Sequence, residues 1–171
     1  ELDEKLTNIV KNQIFADVEV GTFLSGGIDS SLITAKAQEV SSKKIKTFCI
    51  GVENKNYDES KYAKDVANHL STEHEELILS EKSMTEEVPS IIGNLNEPFG
   101  DSSFIPTYFV SKLAKKKVKV VLTGDAGDEI FGGYNRYTQL RNLSKIHALP
   151  RSFKKIINSS LSNMSEKNIN R

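Results

Sequence analysis

Hydrophobic residues alternate along the chain between helical spacing and short β-prone runs. Apolar positions three and four residues apart predict five helices, over 1–15, 30–40, 57–70, 84–92 and about 106–116. Ser80 or Ser83 is the predicted N-cap of the fourth helix. Runs rich in β-branched and aromatic residues predict four strands, over 18–24, 45–52, 74–79 and 118–122. Alternating strands and helices form βαβ units, so the pattern predicts an α/β fold with a doubly wound, mostly parallel sheet and helices on both faces.

A loop of glycines and hydroxyl residues follows the first predicted strand. Its sequence is Leu24-Ser25-Gly26-Gly27-Ile28-Asp29-Ser30-Ser31. Glycines let the backbone approach a ligand closely, and the helix that follows offers free N–H groups and the positive end of its dipole. This arrangement suits a phosphate group, although neither the Walker A pattern nor Gly-x-Gly-x-x-Gly is present. The phosphate charge would be met by amides, hydroxyls and a metal held by Asp29. A simple glycine turn with a serine N-cap is the structural alternative.

An acidic loop follows the last predicted strand. It reads Thr-Gly-Asp-Ala-Gly-Asp-Glu-Ile-Phe-Gly-Gly-Tyr over 123–134, with three carboxylates at Asp125, Asp128 and Glu129. Crowded carboxylates repel one another unless a cation or hydrogen bonds compensate, and Mg²⁺ prefers such oxygen ligands. Open α/β sheets bind ligands at the carboxyl ends of their strands, so we expect both loops at one rim of the sheet. A solvated acidic turn that caps a helix is the alternative.

The composition excludes several classes of protein. The chain has 171 residues, and 23 Lys and Arg balance 23 Asp and Glu, which argues against a nucleic-acid partner bound through overall positive charge. Apolar runs are too short for a transmembrane helix, and no basic-then-apolar leader is visible. The single cysteine, Cys49, cannot form an internal disulfide, and we expect it to be a small core residue. These features predict a soluble protein of the reducing cytoplasm with no membrane partner.

The two loops together resemble those of a known family. Ser25-Gly26-Gly27-Ile28-Asp29-Ser30 is similar to the signature loop of the PP-loop ATP pyrophosphatases. The acidic loop resembles the Ser-Gly-(Glu/Asp)-Gly-(Ser/Gly)-Asp-Glu-(Leu/Val)-Phe-Gly-Gly-Tyr motif of glutamine-dependent asparagine synthetases and β-lactam synthetases. Similarity extends to Phe48–Val52, Tyr57-Asp58-Glu59 and His69-Leu70…His74-Glu75. The likeness runs from about Ala16 to Arg136. It implies the PP-loop (adenine nucleotide alpha hydrolase-like) fold.

This resemblance implies an ATP-dependent ligase. Such an enzyme activates a carboxylate as an acyl-adenylate with release of pyrophosphate, and ammonia then gives the amide and AMP. The residues expected to hold the pyrophosphate are Ser25, Gly26, Gly27, Asp29 and Ser30. Adenosine is expected near the backbone of Leu24 and Ile50, with Thr123 and Gly124. The expected Mg²⁺ ligands are Asp29 and Asp128, and the expected catalytic residues are Asp125 and Asp29.

The resemblance also implies domains and partners. We predict an ATP-binding synthetase domain over 1–150 and the start of a truncated C-terminal region over 151–171. A basic helix for a membrane or nucleic acid is the alternative for that tail. The predicted partners are ATP, a small carboxylic acid, an N-terminal glutaminase domain of the same full-length chain, and a second copy in a homodimer. The chain lacks an initial methionine and looks like a piece of a longer protein, so we expect little amide formation by this piece alone.

Departures from the family pattern leave the acceptor acid open. Thr123 stands where serine is usual, and Asp125 is one methylene shorter than the more common glutamate. The segment Pro98–Ser103 lacks an arginine that many asparagine synthetases carry nearby, so sugar carboxylates or other acids are alternative acceptors. Another PP-loop ligase, acting on a nucleotide or a tRNA base, and a non-catalytic nucleotide-binding domain are the competing functions. The Asp-Glu-Ile-Phe-Gly-Gly-Tyr segment disfavours the first, and the intact Asp29, Asp125 and Asp128 disfavour the second.

Overall fold

The computed structural model describes residues 1–55, 58–97, 99–101 and 103–147, with backbone alone from 142 to 147. The chain divides into two compact units, Glu1–Asp125 and Ala126–Arg171. The predicted tail over 151–171 lies outside the described residues, as do Tyr57, Pro98 and Ser102. None of the described helices combines the length and apolar composition that crossing a bilayer requires.

The first unit is built on a sheet of four parallel strands. These are β1 (Val20–Phe23), β2 (Lys46–Val52), β3 (Glu73–Leu79) and β4 (Val120–Leu122). Their order across the sheet is β3-β2-β1-β4, and every pair is parallel. Because helices join the strands in sequence, the predicted α/β architecture with a parallel sheet is confirmed.

Seven helices lie within the described residues. Those of the first unit are α1 (Leu2–Ile14), α2 (Ile28–Val40), α3 (Ser60–Leu70), α4 (Glu81–Gly93) and α5 (Phe104–Ala114). The second unit contributes α6 (Gly127–Phe131) and α7 (Asn135–His147). The Ser80 side chain accepts a hydrogen bond from the Ser83 backbone N–H at 3.1 Å, which identifies Ser80 as the N-cap of α4.

Alternate residues of β2 bury their side chains on opposite faces of the sheet. Cys49 packs with Ala63 and Ala67 of α3, whereas Phe48 packs with Val110 and Ala114 of α5. A strand that is covered on both faces needs apolar side chains at successive positions, as the run Phe-Cys-Ile provides. Helices therefore enclose the sheet from both sides, as predicted.

Two local expectations differ from the structure. The strand predicted over 118–122 is regular only from Val120. Among the described strands β4 pairs with β1 alone, so it lies at an edge of the sheet, and Val120 is 41% exposed there. The helical pattern after Ser60 predicts Tyr62 on the same face as Val66 and Ala67, yet Tyr62 is 63% exposed. The buried face of α3 instead carries small side chains, which let the helix approach the first loop.

Candidate functional site

The glycines of the first loop allow it to pack tightly on the start of α3. Gly26 has φ +83°, a conformation that other residues rarely adopt. A methyl group at Gly26 would lie 2.6 Å from the Ala63 backbone nitrogen and 2.6 Å from Tyr62 Cβ. Real Cβ atoms do not approach neighbours this closely, so no other residue fits here without displacing the loop.

Hydroxyl groups hold the first loop in a closed turn ahead of α2. Ser25 Oγ and Ser30 Oγ are 2.9 Å apart, and the Gly27 N–H donates to Ser25 Oγ at 3.2 Å. The Ser30 hydroxyl also donates to the Gly27 carbonyl at 3.2 Å. Asp29 lies in the first turn of α2, next to the N–H groups that have no partner within the helix. The turn thus presents hydroxyls, amides and one carboxylate at the carboxyl end of β1.

The segment 123–125 lies against the first loop, as expected from its place after a parallel strand. A methyl group at Gly124 would lie 2.7 Å from the Ser30 backbone nitrogen and 2.8 Å from the Asp29 carbonyl carbon. Gly124 therefore touches the backbone of the first turn of α2. Next to it, the Thr123 hydroxyl donates to Asp125 Oδ2 at 2.7 Å, which orients that carboxylate. The start of the acidic loop thus meets the first loop within the first unit.

Asp128 lies in the second unit, where its own turn is closed by local contacts. The Gly133 N–H donates to the Asp128 carbonyl at 3.0 Å, and the Tyr134 hydroxyl donates to Glu129 Oε1 at 2.7 Å. The hydrogen bond from Tyr134 lowers the pKa of Glu129. The Arg136 guanidinium lies 4.1 Å from the centre of the Tyr134 ring. These contacts hold the backbone of the Asp128 turn in a defined shape.

A cavity of about 380 Å³ opens at the carboxyl ends of β1 and β2. Its walls reach from the first turns of α5 to the start of α3. The lining residues include Phe48, Pro106 and Val110 on the α5 side, and Ser25, Cys49 and Glu59 on the other side. Most of the wall is apolar, and Ser25 connects it to the first loop. Cavities of this size and character accept small organic ligands.

Backbone groups of β2 also face this cavity. The last residue of β2 that pairs with β1 is Phe48, whose carbonyl accepts the Leu24 N–H at 3.0 Å. Peptide groups of alternate residues in a strand point to the same side. Those of Ile50 therefore point to the space beyond the end of β1. Leu24 itself is 1% exposed, and it positions the first loop at the cavity edge.

Asp58 fixes the chain between β2 and α3. Its carboxylate accepts from the Ser60 N–H at 3.1 Å, the Ser60 hydroxyl at 3.1 Å and the Val52 N–H at 3.4 Å. The hydrogen bond from the Ser60 backbone is the main reason that the pKa of Asp58 lies below its usual range. Asp58 thereby sets the position of Glu59 at the cavity wall.

Replacing Asp58 by asparagine should destabilise the first unit in a pH-dependent way. A charge-assisted hydrogen bond is lost, so we expect the free energy of unfolding to fall by about 1 kcal/mol at neutral pH. Because the pKa is lower in the folded chain, the carboxylate stabilises the fold above about pH 4 and loses this effect as the pH falls further. The difference between the wild type and D58N should therefore shrink below about pH 4. Urea denaturation from pH 7 to pH 3 measures it.

Asp65 provides the matched control, because it is exposed on the adjoining helix α3 and its replacement by asparagine removes the same charge. D65N should change the stability little at any pH. An equal loss in D58N and D65N, or a D58N effect that does not vary with pH, would contradict the assigned role of Asp58.

The carboxylates beside the first loop fit a magnesium ion that arrives with a nucleotide. Mg²⁺ usually takes one or two carboxylates, substrate phosphate oxygens and water. Among the residues that the structure describes, no three His, Cys, Asp or Glu side chains are grouped as metal ligands. Asp29, which packs against Gly124, still offers hard oxygen donors next to the N–H groups of the loop. This donor set suits a phosphate-bound cation.

Some residues of the site could not be identified from the sequence pattern. Glu59 and the apolar wall at Phe48, Pro106 and Val110 carry no catalytic signature, although Glu59 belongs to a motif that resembles the family. Cys49 is the buried core residue that the sequence predicts. Burial raises the pKa of its thiol to about 12, so the thiol is uncharged at neutral pH.

Comparison with known proteins agrees with this arrangement. The family model described as Asparagine synthase matches residues 1–170. The chain is 38% identical over 163 residues to "Asparagine synthetase [glutamine-hydrolyzing] 1" of Bacillus subtilis, with 91% of this chain and 26% of that protein covered. It is 41% identical over 157 residues to "Putative asparagine synthetase [glutamine-hydrolyzing] 2" of Methanocaldococcus jannaschii, with 91% and 30% covered. The chain thus spans between a quarter and a third of the length of these curated relatives.

A solved structure shares the fold. The NH3-dependent NAD synthetase of Campylobacter jejuni superimposes with a TM-score of 0.54 at 15% identity, covering 78% of this chain and 59% of that one. The expected PP-loop fold is confirmed by this likeness. Since the family model spans nearly the whole sequence and the relatives cover most of it, the chain belongs to the asparagine synthase family.

Proposed function

We propose that this chain is the nucleotide-binding part of an ATP-dependent amide-forming ligase. A carboxylate oxygen of the acid substrate attacks the α-phosphorus of ATP, pyrophosphate leaves, and an acyl-adenylate forms. Ammonia then attacks the acyl carbon, and the bond from that carbon to the bridging oxygen breaks. AMP leaves with this oxygen, and a proton is released as the amide forms. The conclusion rests chiefly on one observation: Gly124 packs directly on the backbone of Asp29 and Ser30 beside a cavity that opens at Ser25.

The cavity and the first loop form one continuous path for a nucleotide. The accessible apolar wall at Phe23 and Pro106 suits an adenine ring, and the peptide groups of Ile50 are positioned to meet its edge. We place the backbone of Leu24, which lines the cavity, together with Thr123 and Gly124, along the space between base and phosphates. Specificity from a few polar groups in an apolar cavity is typical of small-molecule sites.

The first loop would hold the pyrophosphate part of ATP. Charge develops on the departing pyrophosphate, and donors already fixed in position lower that barrier without reorganising. Ser25 and Ser30 supply hydroxyls, and the backbone at Gly26 and Gly27 allows close approach. Asp29 would hold Mg²⁺, which neutralises phosphate charge when it is bound.

Asp125 is the residue that we place beside the reacting acyl group. Its carboxylate, oriented by the Thr123 hydroxyl, can accept a hydrogen bond from ammonia and later its proton. Asp29 would assist the reaction by holding the cation that binds the phosphates. Gly124 packs on the backbone of Asp29 and directly precedes Asp125 in the chain. This one backbone contact therefore positions both aspartates.

The remaining parts of the reaction belong to the longer protein. Relatives named as glutamine-hydrolysing synthetases are between three and four times as long as this chain, so we propose that a glutaminase domain supplies ammonia. The synthetase domain would extend over 1–150, and the region after it would complete the site. Aspartate is one acceptor, and a sugar carboxylate or another small acid is the alternative.

The decisive experiment measures Mg²⁺-dependent ATP binding by Asp29→Asn. We expect the wild type to bind ATP more tightly with Mg²⁺ than without it. D29N removes a charge that would hold the cation, so its affinity for Mg²⁺-ATP should fall at least about tenfold while metal-free ATP binds nearly as before. Isothermal titration calorimetry gives both values. The exposed Asp65→Asn should leave both unchanged.

Two results would overturn the proposal. The first is an absence of ATP binding by the wild type with and without Mg²⁺. The second is a D29N protein that retains the full advantage of Mg²⁺. Pyrophosphate release by the full-length protein against a panel of carboxylic acids and nucleosides then separates an amide-forming ligase from another PP-loop ligase, and identifies the acceptor.

A further inference from the structure

Glu59 stands at a rigid point of the cavity wall. Its backbone carbonyl accepts hydrogen bonds from the Tyr62 N–H at 3.0 Å and the Ala63 N–H at 3.2 Å, which anchor it at the start of α3. The neighbouring Asp58 carboxylate fixes the same turn through Ser60. The Glu59 side chain is exposed and lines the cavity. A ligand there would meet a carboxylate whose backbone cannot move away.

The other polar side chains of this wall already have partners. Ser25 is bonded to Ser30 and to the Gly27 N–H, and the Thr107 hydroxyl donates to the Ser103 carbonyl at 2.8 Å. The Cys49 thiol lies 3.5 Å from the Ile50 carbonyl. The Glu59 carboxylate, in contrast, makes no hydrogen bond or ion pair with any residue in the described part of the chain. An ionised carboxylate only accepts hydrogen bonds, so its complement is a ligand that carries donors.

The polarity of the cavity indicates which part of a nucleotide meets Glu59. The accessible apolar wall at Ile50 and Pro106 lies on the α5 side, where a base would stack. Phosphates belong to the first loop, whose Gly26 packs on the start of α3. The sugar must bridge these two regions and therefore passes Ser25 and Glu59.

We propose that Glu59 determines sugar specificity by accepting hydrogen bonds from the 2′- and 3′-hydroxyls of ribose. The inference rests on the proposed ATP site and adds a preference that this site does not by itself require. A carboxylate that binds ribose hydroxyls is the solution that dinucleotide-binding α/β folds also use. The occupant is then a ribonucleoside triphosphate, and the deoxy form is discriminated against.

The test compares the binding of Mg²⁺-ATP, 2′-deoxyATP and 3′-deoxyATP by calorimetry. The wild type should bind ATP about tenfold more tightly than either deoxy form, as expected for loss of a hydrogen bond to a charged group. In Glu59→Ala this ratio should fall to about one, chiefly because ATP binds about tenfold more weakly. Glu59→Gln keeps the shape and one acceptor, so its ratio should lie between the two. Glu76→Ala, on exposed β3, is the matched control.

Each outcome has a definite meaning. A ratio that falls to about one in E59A and to an intermediate value in E59Q, but stays at the wild-type value in E76A, supports the proposal. If the wild type binds ATP and 2′-deoxyATP equally, or if the Glu59 variants keep the wild-type ratio, Glu59 does not recognise ribose although the ATP site stands. If no nucleotide binds at all, the proposed function fails and takes this inference with it. Thermal melting identifies any variant that is unfolded, in which case the other Glu59 variant decides.

Discussion

Replacement of Gly124 by alanine is expected to reduce ATP affinity at least about a hundredfold while the sheet remains folded. The added methyl group would lie 2.7 Å from the Ser30 nitrogen and 2.8 Å from the Asp29 carbonyl carbon. Both neighbours are backbone atoms at the start of α2, so no side-chain rotation relieves the overlap. The two loops must separate, and the hydroxyl and amide donors of the first loop would then no longer converge on ATP.

The same substitution at Gly93 is a stringent control. A methyl group there meets nothing within 4 Å, and Gly93 ends α4 in an open position. G93A should match the wild type in both ATP affinity and circular dichroism. Gly124→Ala should match it only in circular dichroism. Wild-type affinity in G124A would mean that contact between the loops is not required for binding, and the proposed site would have to be abandoned.

The sequence determines the architecture because its signals are local and repeated. Successive apolar residues such as Phe48 and Cys49 can only be buried on both faces of a sheet, which predicts flanking helices on each side. A loop after a parallel strand must emerge at the carboxyl rim. For this reason the meeting of the first loop with Gly124 follows from strand order, although the two segments are far apart in the chain.

Details that depend on packing between elements could not be predicted in this way. Helical periodicity places Tyr62 on the buried face of α3, but close approach of Gly26 requires the small Ala63 there, and Tyr62 turns outward. The cavity wall at Glu59 likewise arises from the junction of β2 with α3. Neither contact produces a periodic pattern in the sequence from which it could be predicted. The chemistry of Asp29 and Asp125 could be proposed from the motifs, whereas their surroundings required the fold.

Phe48 links the stability of the sheet to the shape of the cavity, and its truncation should have the largest effect on folding. The ring is fully buried against Val110 and Ala114, and a methyl group on Gly21 would come within 2.8 Å of it, so the space around it is already filled. Phe48→Ala should therefore lower the free energy of unfolding by about 3–5 kcal/mol, measured by urea denaturation.

An exposed phenylalanine provides the control that separates loss of a buried ring from loss of an aromatic ring in general. Phe15 is 81% exposed, so Phe15→Ala should change the stability by no more than about 0.5 kcal/mol. Phe48→Leu keeps most of the buried volume and should recover much of the stability. Because the ring is fully buried, it supports the cavity from behind, and F48L should bind ATP nearly as the wild type does. A loss of stability in F15A as large as that in F48A would contradict the role assigned to burial.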